Sequence, residues 1–289
     1  AGDDDEFGGD EAHGQARCSG AFLRHCARAG LGGGPRTGRW TVVGLGPGDD
    51  RCVTPEAREA RANAEALYGY GPYLDRVPAR EGQARIPSGN RVEGNRAQAA
   101  LAHAAEGAHV AMVSGGDPGV FAMAAAVCGE IEDGPDEWRA LDVRILPGVT
   151  AMLAVAARAG APLGHDFCAS SLSDNLKPWD LIERRLDAAA TGGFVIAFYN
   201  PISTARAWQL GQAFARLGKH LAPETPVVFG RAVGRDDEAV TVTTLDRAAE
   251  TPADMATLII VGSPETRVIA RDGQPPLVYT PRMAATVSA

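Results

Sequence analysis

An α/β fold of two domains is predicted for this chain by three features of its 289 residues. Short β-type runs alternate with helical patterns, the mark of a mostly parallel sheet. Three of those runs end in loops nearly bare of side chains: Gly44-Leu45-Gly46-Pro47-Gly48-Asp49, Gly115-Gly116-Asp117-Pro118-Gly119 and Pro147-Gly148-Val149-Thr150-Ala151. The length is generous for one domain and comfortable for two.

In chain order, residues 1–38 are expected to be a disordered tail. They open with Asp3, Asp4, Asp5 and Glu6, close on Gly32-Gly33-Gly34-Pro35, and carry too little apolar surface to fold alone. The first domain, 39–150, begins with a strand at 41–43 that runs into the first glycine loop. Thr54 and Pro55 then open a helix as N-cap and first helical residue. A strand at 66–70, an alanine-rich helix at 91–106, a central strand at 110–113, a helix at 120–131 and a strand at 143–146 complete it. The second domain, 151–289, restarts the alternation: a helix at 152–159, strands at 167–172 and 194–199 around a helix at 181–190, a helix at 204–217, and strands at 227–229, 240–243 and 258–261. No repeat of solenoid type is present.

Composition narrows the function. With 45% hydrophobic and 22% charged residues the chain is an ordinary globular protein. A formal charge of −8 argues against nucleic acid as a partner, though not against a small anion held by local arginines. Apolar runs are too short for a transmembrane helix, so no membrane partner is expected. Five scattered cysteines, with no CxxC pair, argue against zinc, iron–sulfur or disulfide frameworks and suit a reducing cytoplasm. The six histidines lie far apart without HxxxH or HExxH spacing, so no metal site is expected.

In a parallel sheet the carboxyl ends of the strands share one edge, where ligands bind, so the three loops should converge there. A dinucleotide reading of Gly44-x-Gly46-x-Gly48 fails: the third glycine falls one place early, and Tyr68-Gly69-Tyr70 ends the second strand without an acid. The Gly-Lys-Ser/Thr of a P-loop is missing, as is the nucleophile elbow G-x-S-x-G. Ser114 is better read as a hydrogen-bond donor to a ligand than as a nucleophile. What remains is a pocket of backbone groups, small side chains and one carboxylate, Asp117. It suits a zwitterionic ligand with a flat base and no phosphates, and S-adenosyl-L-methionine fits that description.

The three loops, in this order and spacing, resemble those of the tetrapyrrole (class III) methyltransferases. Ser171-Leu172-Ser173-Asp174-Asn175-Leu176-Lys177-Pro178-Trp179 and Phe198-Tyr199-Asn200-Pro201 are similar to the branch that methylates carbon 17 of precorrin-3B in cobalamin synthesis. The resemblance spans 40–282. It implies two α/β domains with a trough between them, a homodimer, and S-adenosyl-L-methionine lined by Pro47, Gly115, Gly116, Asp117, Val120, Thr150, Ala151, Asn200, Ala232 and Val233. The activity it implies is methyl transfer to a tetrapyrrole substrate with contraction of the ring to precorrin-4. Another ring carbon, the cobalt-containing equivalent, and a non-catalytic scaffold that keeps the cofactor pocket stay open as alternatives.

One departure matters. Relatives that methylate uroporphyrinogen place a proposed base aspartate where this chain has Gly69. Asp49, Tyr70, Ser173 and Asp174 are then the candidates for acid/base work. Arg85, Arg91, Arg96, Arg231 and Arg235 are candidates to pair with substrate carboxylates, with Ser114 and Ser173 beside them.

Overall fold

In the computed structural model, residues 38–89, 93–203 and 207–283 are described. The expected tail, apart from its last residue, and Arg91 therefore lie outside the described residues.

The first sheet is built from β1 (Arg39–Gly44), β2 (Ala66–Tyr70), β3 (Ala84–Ser88), β4 (His109–Ser114) and β5 (Asp142–Leu146), in the order β3-β2-β4-β1-β5 with every pairing parallel. Its helices are α1 (Pro55–Asn63), α2 (Gly71–Leu74), α3 (Glu93–Ala105), α4 (Met123–Asp133) and α5 (Asp136–Arg139). Both faces of the sheet are covered, and the period of two along each strand decides which side chain goes where. Trp40, Val42, Val110 and Met112 face α3 and α4 with Leu101 and Val127. Val43, Ala111 and Val113 face the other way, with Ala57 of α1. Thr54 caps α1 as its sequence requires, its Oγ1 accepting the Ala57 N–H at 3.2 Å.

α6 (Ala151–Ala159) leads into the second half, which holds β6 (Gly160–Ala161), β7 (Phe167–Ser171), α7 (Trp179–Thr191), β8 (Val195–Tyr199), α8 (Gln209–Leu217), β9 (Pro226–Arg231), β10 (Ala239–Thr244), β11 (Thr257–Val261), β12 (Arg267–Arg271) and β13 (Gln274–Tyr279). The second sheet runs β10-β9-β11-β8-β7. Ile196, Phe198, Phe229 and Ile259 pack under α7 and α8, while Val195, Ala197, Val228 and Ile260 meet Val155 of α6 on the opposite face.

The sequence reading left the strand directions of the second sheet open, and the helix it expected at 204–217 spans Gln209–Leu217. The second sheet is mainly antiparallel, with only β7 and β8 parallel, because β9 returns to β10 through a hairpin rather than a crossover helix. The helix expected at 120–131 starts at Met123, since Phe121 is left-handed at φ 50° and Ala122 is extended, neither of which a helix accommodates. Strands β3, β12 and β13 were not foreseen. Their polar or proline-containing runs lack the apolar alternation that marks a half-buried strand.

Candidate active site

The three glycine loops meet. Gly46 and Gly116 exchange both backbone hydrogen bonds, at 3.1 and 2.9 Å, and the Leu45 N–H donates to the Ser114 carbonyl at 2.9 Å. The third loop lies on the other two: a Cβ on Gly148 would collide with the Gly116 carbonyl, and one on Gly44 would sit 2.6 Å from the Gly148 nitrogen. Glycine is needed here for close approach of backbone to backbone. Asp117 fastens the assembly. Its Oδ1 accepts the Gly119 N–H at 2.8 Å and its Oδ2 the Gly148 N–H at 3.1 Å, so this carboxylate joins the second loop to the third.

Against this knot lies a cavity of ≈ 300 Å³, within the ordinary size range of small-ligand sites. Pro47, Ser114, Gly115, Gly116, Asp117 and Val120 form one wall. Thr150 and Ala151, at the start of α6, form the floor, and Asn200, Ala232 and Val233 come from the second sheet. All ten residues expected to line the cofactor border this one space, together with Ser114.

Among the described residues three other than glycine have a left-handed backbone, and all three border the cavity: Phe121 at φ 50°, Asn200 at φ 49° and Ala232 at φ 49°. Such strain costs about 1–3 kcal/mol per residue and collects where a site requires it. Asn200 is held by its Nδ2 donating to Ser171 Oγ at 3.0 Å. Phe121 sets its ring 5.0 Å from that of Tyr199. Tyr199 in turn shares a 2.5 Å hydrogen bond with Thr150 Oγ1 and accepts the Met152 N–H at 3.2 Å. Burial raises its phenol pKa, so it stays a neutral anchor.

The rest of the cavity lining includes longer side chains: Tyr70, Tyr73, Arg76, Glu93 and Arg96, with Arg235 from the β9–β10 connection. The rings of Tyr70 and Tyr73 meet edge to face at 5.4 Å. Arg96 is buried, which lowers its pKa, and it donates to Ser88 Oγ and to the Gly89 carbonyl at 2.6 Å. Arg76 donates its Nη2 to the carbonyls of Leu45, Gly46 and Gly48 at 2.8, 2.9 and 3.0 Å.

Several residues chosen from the sequence for chemistry or substrate binding are elsewhere. Asp49 caps the 3₁₀ turn at Asp50–Cys52 and is gripped by Arg51, whose hydrogen bonds lower its pKa; it does not border the cavity and is a poor base. Asp174 and Ser173 also lie off the cavity, in the segment after β7, where Ser173 Oγ accepts the Asn175 N–H at 3.5 Å. Neither Arg85, which donates to the carbonyls of Val77 and Leu74, nor Arg231, which pairs with Asp254 and Asp237, both at 2.7 Å, borders the cavity. Of the candidates for acid/base work only Tyr70 borders the cavity. Glu93, Tyr73, Arg76, Phe121 and Tyr199 were missed. Only Tyr199 had a sequence signal, inside Phe198-Tyr199-Asn200-Pro201; Phe121 read as plain helix, and the others depend on where α2 and α3 deliver them.

The cavity fits S-adenosyl-L-methionine on these grounds. Main-chain groups of Gly115 can serve an amino-acid head, Gly116 leaves room for it by lacking a side chain, and Ala151, Ala232 and Val233 supply apolar walls for a base. Among the described residues no group of three or more His, Cys, Asp or Glu could hold a metal ion, and no helix is long and apolar enough to cross a membrane.

Comparison with known proteins agrees with this geometry. A precorrin-3B C(17)-methyltransferase of Sinorhizobium sp is 62% identical over 252 residues, which cover 87% of this chain and 99% of that protein. The crystal structure of the methyltransferase CobJ aligns with a TM-score of 0.80 at 50% identity, covering 84% of this chain and 100% of that one. A uroporphyrin-III C-methyl transferase from Thermus thermophilus, complexed with S-adenyl homocysteine, shares the fold at a TM-score of 0.58 and 23% identity, covering 78% of this chain and 97% of that one. The family model for Tetrapyrrole (Corrin/Porphyrin) Methylases matches residues 40–249. This chain belongs to the tetrapyrrole (corrin/porphyrin) methylases.

Proposed function

We propose that this chain is a precorrin-3B C(17)-methyltransferase of cobalamin biosynthesis, which methylates ring carbon 17 and contracts the macrocycle to precorrin-4. The observation that carries the proposal is the 62% identity to the Sinorhizobium protein of that name over 99% of its length. The strained, glycine-built cavity supports it independently. The ten residues Pro47, Gly115, Gly116, Asp117, Val120, Thr150, Ala151, Asn200, Ala232 and Val233 are taken to hold the cofactor. A homodimer and a cytoplasmic location are carried over from the family as part of the same reading, as is the division into α/β domains at about residue 150.

When bound, S-adenosyl-L-methionine supplies a methyl group already activated on its sulfonium. The protein's share of that half of the reaction is alignment, which can lower a barrier by up to ~7–11 kcal/mol. The knot of loops fixed by Asp117 and the Thr150–Tyr199 pair give the rigidity that alignment needs. Ring contraction requires a proton to leave a ring hydroxyl, and a positioned base contributes about 10²–10⁴-fold. Glu93 and Tyr70 border the cavity, whereas both oxygens of Asp117 already accept main-chain N–H groups.

The test is incubation of the purified protein with precorrin-3B and methyl-labelled S-adenosylmethionine, with mass and position of the label read on the product. One added methyl at carbon 17 is expected. Label on another carbon, or turnover only with the cobalt-containing substrate, would replace the assignment.

A further inference from the structure

The two halves of the molecule grip one short loop, and they do so with like charges. From the first half, Arg76 holds the carbonyls of Leu45, Gly46 and Gly48. From the β9–β10 connection, Arg235 Nε donates at 3.5 Å to the carbonyl they leave out, that of Pro47. Beside them Gly48 packs directly on Gly234, where a Cβ on Gly48 would collide with the Gly234 carbonyl, and the Arg235 side chain lies against the same spot. After burial, the nearby charge of Arg235 is the largest influence lowering the pKa of Arg76.

Three acids flanking the loop and the β9–β10 connection are engaged elsewhere. Asp49 pairs with Arg51, Asp237 with Arg231, and Glu238 with Arg158 and the Gly234 N–H. Among the described residues neither Arg76 nor Arg235 forms an ion pair, and the Arg76 Nε is buried with no acceptor. Neutral carbonyls can orient two guanidinium groups but cannot cancel their charge. Both groups border the cavity.

We infer that Arg76 and Arg235 form a carboxylate latch, in which one carboxylate of the substrate seats between the two guanidinium groups and ties the second half of the molecule to the Gly44–Gly48 loop. The inference rests on the methyltransferase reading and extends it by naming the residues that read the substrate's acidic side chains. Guanidinium groups suit this task because their fork matches a carboxylate. Because the latched loop carries Pro47 of the cofactor wall, occupation of the latch strengthens cofactor binding, and by linkage the cofactor strengthens the latch equally.

The experiment uses the full chain, uroporphyrin III as an octacarboxylate probe followed by fluorescence, and S-adenosylhomocysteine followed by calorimetry. Arg235 is exposed, so Arg235→Ala is expected to fold, and its S-adenosylhomocysteine affinity measured alone to stay within about two-fold of wild type. Its porphyrin affinity is expected to fall by about 10-fold or more, as loss of a charged hydrogen bond implies, with part recovered in Arg235→Lys. Saturating porphyrin should tighten S-adenosylhomocysteine binding in the wild type and not in Arg235→Ala. Arg267→Ala, at an exposed arginine of β12 that does not border the cavity, should behave as wild type. Porphyrin binding unchanged in Arg235→Ala, or coupling retained there, overturns the latch while leaving the methyltransferase reading intact. A wild-type protein that binds no S-adenosylhomocysteine overturns both.

Discussion

Part of the cavity wall is main chain and part of it is side chain. The loop part has almost no freedom, because Gly44, Gly116 and Gly148 stand so close that a single Cβ has nowhere to go. The tyrosine–arginine part is formed by long groups from α2, α3 and the β9–β10 connection, each of which can shift by rotating a bond. A site made of backbone binds the part of a ligand that never varies. A site made of side chains can be retuned one residue at a time, and it suits the part of a reaction that differs among family members. The two parts should therefore fail differently when they are altered.

The largest effect is expected from Gly148→Val. Its branched side chain must displace the Gly116 carbonyl, parting the second and third loops. Overpacking of this kind costs about 1–3 kcal/mol of stability, and loss of the loop knot should weaken S-adenosylhomocysteine binding by at least ~100-fold. Thermal melts and calorimetry read the two effects separately. If Gly148→Val bound the cofactor normally, the contrast between a rigid part and an adaptable one would be gone.

Asp117→Asn comes next. The amide can accept one of the two N–H bonds now made to Gly119 and Gly148, but its NH₂ faces the other donor. An unsatisfied, partly buried N–H costs about 1–3 kcal/mol, so cofactor affinity should fall by about 10-fold with porphyrin affinity little changed. A larger loss of porphyrin than of cofactor binding would place Asp117 on the wrong side of the comparison.

Phe121→Gly sharpens the contrast from the other direction. Relief of a left-handed backbone returns about 1–3 kcal/mol and offsets the lost ring contact with Tyr199, so stability should stay within about 1 kcal/mol of wild type. Methyl transfer should nevertheless drop, by about 10-fold, because the strain holds the ring at the cavity mouth. A variant both as stable and as active as wild type would show that the strained aromatic has no part in positioning.

This division also explains what the sequence disclosed. Glycine and proline write backbone geometry directly into the chain, so the convergence of the loops at 44–49, 115–119 and 147–151 could be read from residue types and strand polarity alone. Arg76 left no such mark, and Arg235 stood out only as one of five arginines suited to a carboxylate. They are 159 positions apart, and only the packing of Gly48 on Gly234 makes them neighbours. Arg85 and Arg231 looked equally suitable but do not border the cavity, because where an arginine is delivered is decided by tertiary contacts. Asp49 misled for a related reason: its place at the end of a glycine loop suggested chemistry, and its partner two residues on, Arg51, made it a cap. The antiparallel second sheet was hidden because alternation of strands and helices does not by itself exclude a hairpin between β9 and β10.

The smallest expected effect lies away from both parts, on the outer surface of α7 and α8. There Asp187 accepts from Arg216 at 2.7 and 2.5 Å and lies 2.9 Å from His220 Nε2. The Arg216 hydrogen bonds hold its pKa down to about 2. A depressed carboxylate contributes stability that is fully present above the unfolded value of about 4 and is lost as pH falls through about 2. Asp187→Asn should therefore lower stability at neutral pH by about 0.5–1 kcal/mol, the range of a partly exposed pair with good geometry. The gap between the two proteins should close as denaturant melts are repeated from pH 4 down to pH 2, and affinities for S-adenosylhomocysteine and uroporphyrin should not move. Because Asp187 belongs to neither part of the cavity wall, a change in either affinity would mean that the second sheet transmits strain from its helices to Asn200 and Ala232, and the two parts could no longer be treated as independent.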